Sequence, residues 1–317
     1  MNERERWVRG LGVAGILAAM SPLLCRGDLP AEGEVKAELV ILTGDYTEGV
    51  VVDHAGWVYF SHEKIITRMK PDGSEATTWA ETGAPNGHKI LANGQHLVCD
   101  ASRRAVLLLD GEGKFLKNAS DRSEGEALRG PNDLTLDVAH GGFYFTDPGG
   151  SDEARTIGTV NYVDAQGVTT TVARELAFPN GIALRPDGKE LLVAESKRNR
   201  ILAYEVQGPG KLGERRVFAD LPGKSGDQID NQPDGMCLDA AGNLYVAHYG
   251  MRQVQVLDRS GKLVRRYGGG NLTTSNVAFS GPRMDQLYVT GGTPGGVFRL
   301  DLRGVEGLKI LPPRGGD

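Results

Sequence analysis

Six oxygen-bearing side chains stand near the heads of six similar segments: Glu48, Asn86, Asn132, Asn180, Asp234 and Asn276. Two are carboxylates and four are carboxamides. Hard divalent cations take six to eight oxygen ligands from carboxylates, amide carbonyls and water. Two carboxylates neutralise such an ion, and amides add coordination without adding repulsion. Sulfur is missing from the set and no His holds one of the six places, which weighs against an obligate zinc site. Asn and Asp also begin strands through Asx turns, so any one of these residues alone reads as turn chemistry. Glu48 is a poor turn residue, and the six together point to coordination.

Residues so far apart in the chain need a repeating scaffold to meet. Each heads a short apolar strand, a Gly-containing turn and a second apolar strand. The copies run EGVVVDHAGWVYFSH from Glu48, NGHKILANGQHLVCD from Asn86, NDLTLDVAHGGFYFTDP from Asn132 and NGIALRPDGKELLVAES from Asn180. DGMCLDAAGNLYVAHYG from Asp234 and NVAFSGPRMDQLYVTGG from Asn276 complete the series. Further hairpin candidates with DG, GEG, QG or SG turns fill the spacers. Two strands from the repeat and two from the spacer make a four-stranded antiparallel sheet. The expected fold is therefore all-β, a six-bladed β-propeller. The strand KAELVIL (36–42) lacks a hairpin partner and is expected to close the last blade beside GVFRLDL. In that geometry the residues at the strand heads form one ring at a channel mouth.

The 45 glycines fit an all-β chain rich in tight turns, and a net charge of −5 argues against a nucleic-acid partner. The N-terminus is different. A charged MNERERWVRG precedes the apolar LGVAGILAAM, too short for a membrane span and suited to a leader. The expected organisation is a signal peptide or N-terminal anchor over 1–25, a linker over 26–35, the propeller over 36–303 and a tail over 304–317. Export to a periplasmic or extracellular space follows. A lipid anchor at Cys25 is disfavoured, because Leu23-Leu24 precede it where a small residue is expected. Cys99 and Cys237, within LVCD and MCLD, read as buried structural thiols.

The segments TEGVVVD, GPNDLTLD with YFTDP, FPNGIAL and QPDGMCLD, in this order, resemble the senescence marker protein/gluconolactonase family, the regucalcin-like lactonases. The resemblance extends over the chain beyond the leader. It implies a six-bladed propeller, a divalent ion at the channel mouth (calcium first, zinc or magnesium as alternatives) and hydrolysis of a sugar-derived lactone. It also implies metal ligands at Glu48, Asn132, Asn180 and Asp234, and a substrate-side amide at Asn86. Asn132 is expected to face the substrate as well. Sugar lactonases of the animal branch carry an Arg two residues before the PND-type Asn. Gly130 holds that place here, and Arg129, one residue earlier, is the substitute for substrate contact.

A bound divalent cation polarises a lactone carbonyl and acidifies water. A carboxylate within reach takes the proton from the attacking water, and Asp234 is the choice for this catalytic role. Direct attack by Asp234 is the alternative. His88, directly after Asn86-Gly87, is a candidate substrate contact. His54, His62, His96 and His140 read as solvated, and Asp147 as a turn residue. The expected partner is a small-molecule lactone substrate, and the protein is expected to be a monomer or weak oligomer with no membrane span in the mature chain. Two other functions share the fold: a metal-stabilised propeller that binds protein or glycan without catalysis, and a hydrolase of other lactones or phosphoesters.

Overall fold

The computed structural model describes residues 29–308. Among these, regular structure is almost wholly antiparallel strand, with short 3₁₀ turns at Glu32–Glu34 and Ser196–Arg198. Four separate four-stranded sheets follow one another. Unit one spans Thr47–Val52, Val58–His62, Ile65–Met69 and Thr77–Glu81. Unit two spans Pro85–Ile90, His96–Asp100, Ala105–Leu109 and Phe115–Ser120. Unit three spans Leu134–Asp137, Gly142–Asp147, Gly158–Val163 and Thr169–Leu176, and unit four Pro179–Leu184, Glu190–Glu195, Arg200–Gly208 and Lys211–Asp220.

Two more four-stranded groups are joined by a single residue pair, Tyr249 with Thr273, into an eight-stranded sheet. Unit five holds Gln232–Leu238, Leu244–Tyr249, Gln253–Leu257 and Leu263–Gly268. Unit six holds Thr273–Ser280, Gln286–Gly292 and Gly296–Asp301, with Ala37–Leu42 as its outer strand. Ala37 lies opposite Leu300 and Leu42 opposite Gly296 in that antiparallel pair. The architecture is that of a propeller-like all-β protein.

Packing explains the arrangement. The first strand of each unit packs on the first strand of the next, and that of unit six packs on that of unit one. Apolar clusters fill the junctions between units. Val50, Phe60 and Met69 meet Tyr288 and Val297, for example, and Tyr144 and Val160 meet Ile182 and Val193. Both faces of each sheet are thus buried, which is why the inner strands read as continuous apolar runs rather than alternating ones. Cys99 and Cys237 lie in these layers as free buried thiols.

The turns are those the sequence advertises. In Arg185-Pro186-Asp187-Gly188 the Gly188 amide donates to the Arg185 carbonyl, and Gly188 holds a φ of +68°. Segments outside the sheets also dock. The Tyr267 hydroxyl and Arg265 guanidinium donate to the Pro30 carbonyl, so residues read as linker lie against unit five. The stretch 304–308 is likewise packed: Val305 is buried and the Leu308 amide donates to the Leu238 carbonyl. The leader, Cys25 and the far C-terminal residues lie outside the described residues.

Candidate active site at the bulged strand heads

Each first strand carries an irregularity at its head. In unit four the pairing passes from Pro179–Glu195 to Ile182–Val193, so Asn180 and Gly181 together oppose one residue. The same slip brackets Asn86-Gly87 in unit two, Asp234-Gly235 in unit five and Ser275-Asn276 in unit six. In unit one it falls between Glu48 and Val51. In unit three, Asn132 and Asp133 both pair with Thr146 through main-chain hydrogen bonds. These are β-bulges, which bend a strand and re-aim a side chain.

The bulges are stitched to their neighbours. The Ser61 hydroxyl donates to the Asn86 carbonyl at 3.0 Å, Thr146 to the Asn180 carbonyl at 2.8 Å and Ser275 to the Thr47 carbonyl at 2.7 Å. The Gly87 amide donates to the Asn132 carbonyl across two units. Glycine is required where these strands approach. A Cβ on Gly49 would stand 1.8 Å from the Asn86 carbonyl oxygen, and one on Gly181 would stand 2.1 Å from that of Asp234.

This scaffold gathers Glu48, Asn180 and Asp234, all buried, with Asn132 half-buried. Asn180 lies beside Asp234 and favours its ionised form. Glu48 accepts from the Tyr46 hydroxyl at 3.2 Å and the Gly49 amide at 3.1 Å. Burial, and then the negative charge of Asp133, push the Glu48 carboxyl up to about 7. Burial, then Glu48 and Asp133, push Asp234 well above the usual carboxylate range. Two neighbouring carboxylates that resist ionisation are a site short of positive charge.

The donor set fits a hard cation. The Asn132 Oδ1 is buried without a hydrogen-bond partner, an acceptor that only a cation or a donor from outside the protein would satisfy. Among the described residues no three His, Cys, Asp or Glu form a metal-binding group. An ion here would therefore draw on amide oxygens as well as on Glu48 and Asp234, which suits calcium or magnesium better than zinc.

Several sequence expectations need correction. Asn276 is not the ring residue of its unit. By register Ser275 occupies that place, and Asn276 sits where units two, four and five have glycine. Its amide still reaches Glu48 Oε2 at 3.4 Å. His88 does not face the mouth. It is fully buried between units one and two, 2.7 Å from His96 and stacked on Trp79, because the residue two beyond each bulge points into the junction layer. His96, read as solvated, is buried in the same cluster.

The remaining candidates stay near the strand heads. Asn86 is half-buried, with its main chain against Gly49. Arg129 is exposed and its guanidinium donates to the Ile157 carbonyl at 3.2 Å. Asp147 is no turn ornament: its carboxylate accepts the Arg129 and Gly130 amides and so holds the approach to Asn132.

Sequence reasoning missed three residues. Asp133 is buried beside the ring, and Lys89 lies 3.9 Å from it. Both left a signal, since Asp133 replaces the glycine of PNG and PDG, and Lys89 interrupts an apolar run. Tyr46 is the third. Its partly exposed ring meets Tyr249 edge-on at 6.2 Å above Glu48.

Fold and site thus define a propeller-like protein with a carboxylate–amide cluster at one end of its channel. Residues 46–293 match the family model described as SMP-30/gluconolactonase/LRE-like region, and the chain belongs to that family. It is 28% identical to diisopropyl-fluorophosphatase of Loligo vulgaris, over 68% of this chain and 75% of that one. It is 29% identical to a pentonolactonase of Haloferax volcanii, over 75% and 83%. Among solved structures, a gluconolactonase from Xanthomonas campestris superposes with a TM-score of 0.74 at 25% identity, over 86% of this chain and 91% of that one. A calcium-binding regucalcin from Agrobacterium tumefaciens, at 22% identity and a TM-score of 0.73, supports the fold.

Proposed function

We propose that this protein is a lactonase that opens a sugar-derived lactone at the bulged strand heads, with a divalent cation, calcium first, held by Glu48, Asn132, Asn180 and Asp234. The observation that carries the reading is the convergence of two buried carboxylates with a buried, partnerless amide oxygen on Asn132. Family membership and the lactonase relatives support the reaction class.

When bound, the ion supplies electrophilic activation of the lactone carbonyl and a more acidic water. Glu48 neutralises charge and is held by Tyr46 and Gly49. Asp234 would take the proton of the attacking water and then return it to the leaving ring oxygen. Asn132 and Asn86 orient the sugar hydroxyls, and Arg129 offers a cationic edge at the rim. Tyr46 and Tyr249 form an aromatic wall against which a sugar ring can lie. The fluorophosphatase relative favours testing phosphoesters in the same site.

Two further readings go with this one. The six units form six blades closed into a ring by Ala37–Leu42, as the cyclic contacts of the first strands support. The charged start and apolar stretch before residue 26 act as an export leader, tested by N-terminal sequencing of the protein recovered from the cell exterior or periplasm.

The test of the activity is acid release from glucono-1,5-lactone by chelator-stripped protein, with and without added calcium, beside Asp234→Asn. Hydrolysis restored by the ion and reduced about 10²- to 10⁴-fold in the variant is expected. Activity indifferent to chelation and to Asp234→Asn would overturn the reading.

A further inference from the structure

Three residues beyond the strand-head positions stand Val51, Lys89, Thr135, Ala183, Cys237 and Ala278. Five are uncharged and small or aliphatic; one is an ammonium. Lys89 is 13% exposed and its Nζ lies 3.9 Å from Asp133 Oδ1, itself 1% exposed. Asp133 is as unusual in its own tier, where Gly87, Gly181 and Gly235 stand in units two, four and five. Its Oδ1 accepts the Leu134 amide at 2.8 Å, which fixes the carboxylate toward the channel. Asp133 directly follows Asn132, and a Cβ on Gly87 would stand 2.4 Å from its Oδ1, so the carboxylate lies against the bulge of Asn86-Gly87.

An ion pair at this depth would be a poor device for stability alone, since desolvating both partners consumes most of the attraction. It makes sense as charge balance. With Glu48 and Asp234 ionised around a bound cation, they and Asp133 would carry three negative charges against the one positive charge of Lys89, leaving two for the ion to match.

We propose that Lys89, acting through Asp133, is a fixed counter-charge beneath the ring that sets the site's charge deficit at two and so selects a divalent over a trivalent cation. This deepens the proposed function and rests on its metal reading. The pair is a selectivity element and does not touch the substrate. Lys89 also stands between the ring and the cavity at the opposite end, which it helps to line.

The test compares calcium with terbium, two hard oxygen-seeking ions that differ by one charge. Both are titrated into chelator-stripped full-length protein by calorimetry, for wild type, Lys89→Met, Asp133→Asn and the double variant. Removing Lys89 adds one unmatched negative charge, and a trivalent ion gains more from it than a divalent one. Lys89→Met should therefore raise terbium affinity relative to calcium by on the order of tenfold, and Asp133→Asn should lower the ratio by a similar factor. The double variant restores a deficit of two and should return the ratio to within about threefold of wild type. Lys89→Gln repeats the first arm should the Met variant fail to fold. Ion binding in wild type with a ratio unmoved by the substitutions, or left shifted in the double variant, overturns this inference alone. A wild-type protein that binds neither ion overturns the metal reading and this inference together.

Discussion

The two ends of the channel are built from the same six strands and differ in almost every physical respect. At their heads the strands bulge, approach one another through glycine and turn acids and amides inward. At their tails they run straight into polar turns around a cavity of about 690 Å³ lined by Val51, Ile90, Leu136, Ala278 and Phe279, with Arg299 and Gln286 among its outer residues. Glu48, Asn132, Asn180 and Asp234 are not among the residues that line this hollow. Cavity size reflects how far apart the strands splay. Reactivity follows from where the backbone departs from regular pairing, because only a bulge turns consecutive residues toward the axis.

Glycine substitutions at the two ends should expose the contrast most strongly. Gly49 has a φ of +51° and no room for a Cβ, whereas Gly94, in a turn after the first strand of unit two, has a φ of +80° and open space around it. Gly49→Ala should cost about 3 kcal/mol or more from strain and overlap, and Gly94→Ala about 1 kcal/mol from conformation alone. Urea unfolding midpoints measure both. Equal costs would mean that the strand heads are not closely apposed.

An intermediate effect separates the mouth from the junction layers. Burial holds His96 down at about 4, against an ordinary 6.5, and burial with its neighbour His96 holds His88 well below the ordinary value. A depressed folded-state pKa means that the native protein resists protonation. The stability contribution of neutral His96 is whole above pH 6.5 and is lost as pH falls from there toward 4. Its loss should reach about 2 kcal/mol by pH 5. Thermal unfolding at pH 7.5 and 5 should show a smaller pH-dependent drop in His96→Phe than in wild type. An identical drop in the two proteins would place His96 in contact with water, as its sequence position had suggested.

The smallest effect belongs to the apolar end. Ala278→Leu fills part of the cavity and should stabilise by about 1 kcal/mol or less. Lactone hydrolysis should stay within about twofold of wild type. A fall beyond about tenfold would show that the two ends are coupled through the channel, and the contrast drawn above would fail.

How much of this was legible in the sequence depended on the distance over which each signal acts. Repeating strand pairs, the turns at Pro186-Asp187-Gly188 and elsewhere, and the lone strand at 37–42 announce themselves through local pattern and composition. The placement of Glu48, Asn132, Asn180 and Asp234 at strand heads was readable because each heads a repeat followed by an apolar run. Asn276 was misplaced by one residue, since nothing local marks which member of a bulge faces the axis. His88 went wrong for a related reason. Its direction is set by the residue count after the bulge, and a slip of one residue exchanges channel for core.

The sequence by itself determined an all-β chain, the order of its repeats and the oxygen character of the site, because periodicity, turn chemistry and side-chain type are properties of short segments. Only the tertiary structure decided that His88 and His96 pair in a dry layer, that Asp147 braces the loop ahead of Asn132, and that Lys89 meets Asp133 beneath the ring. Lys89 and Asp133 come from different units, Asp147 and Arg129 from either side of a loop, and His88 and His96 from paired strands of one unit. The contacts depend on backbone bulges and on how neighbouring sheets pack, and no window of sequence contains that information.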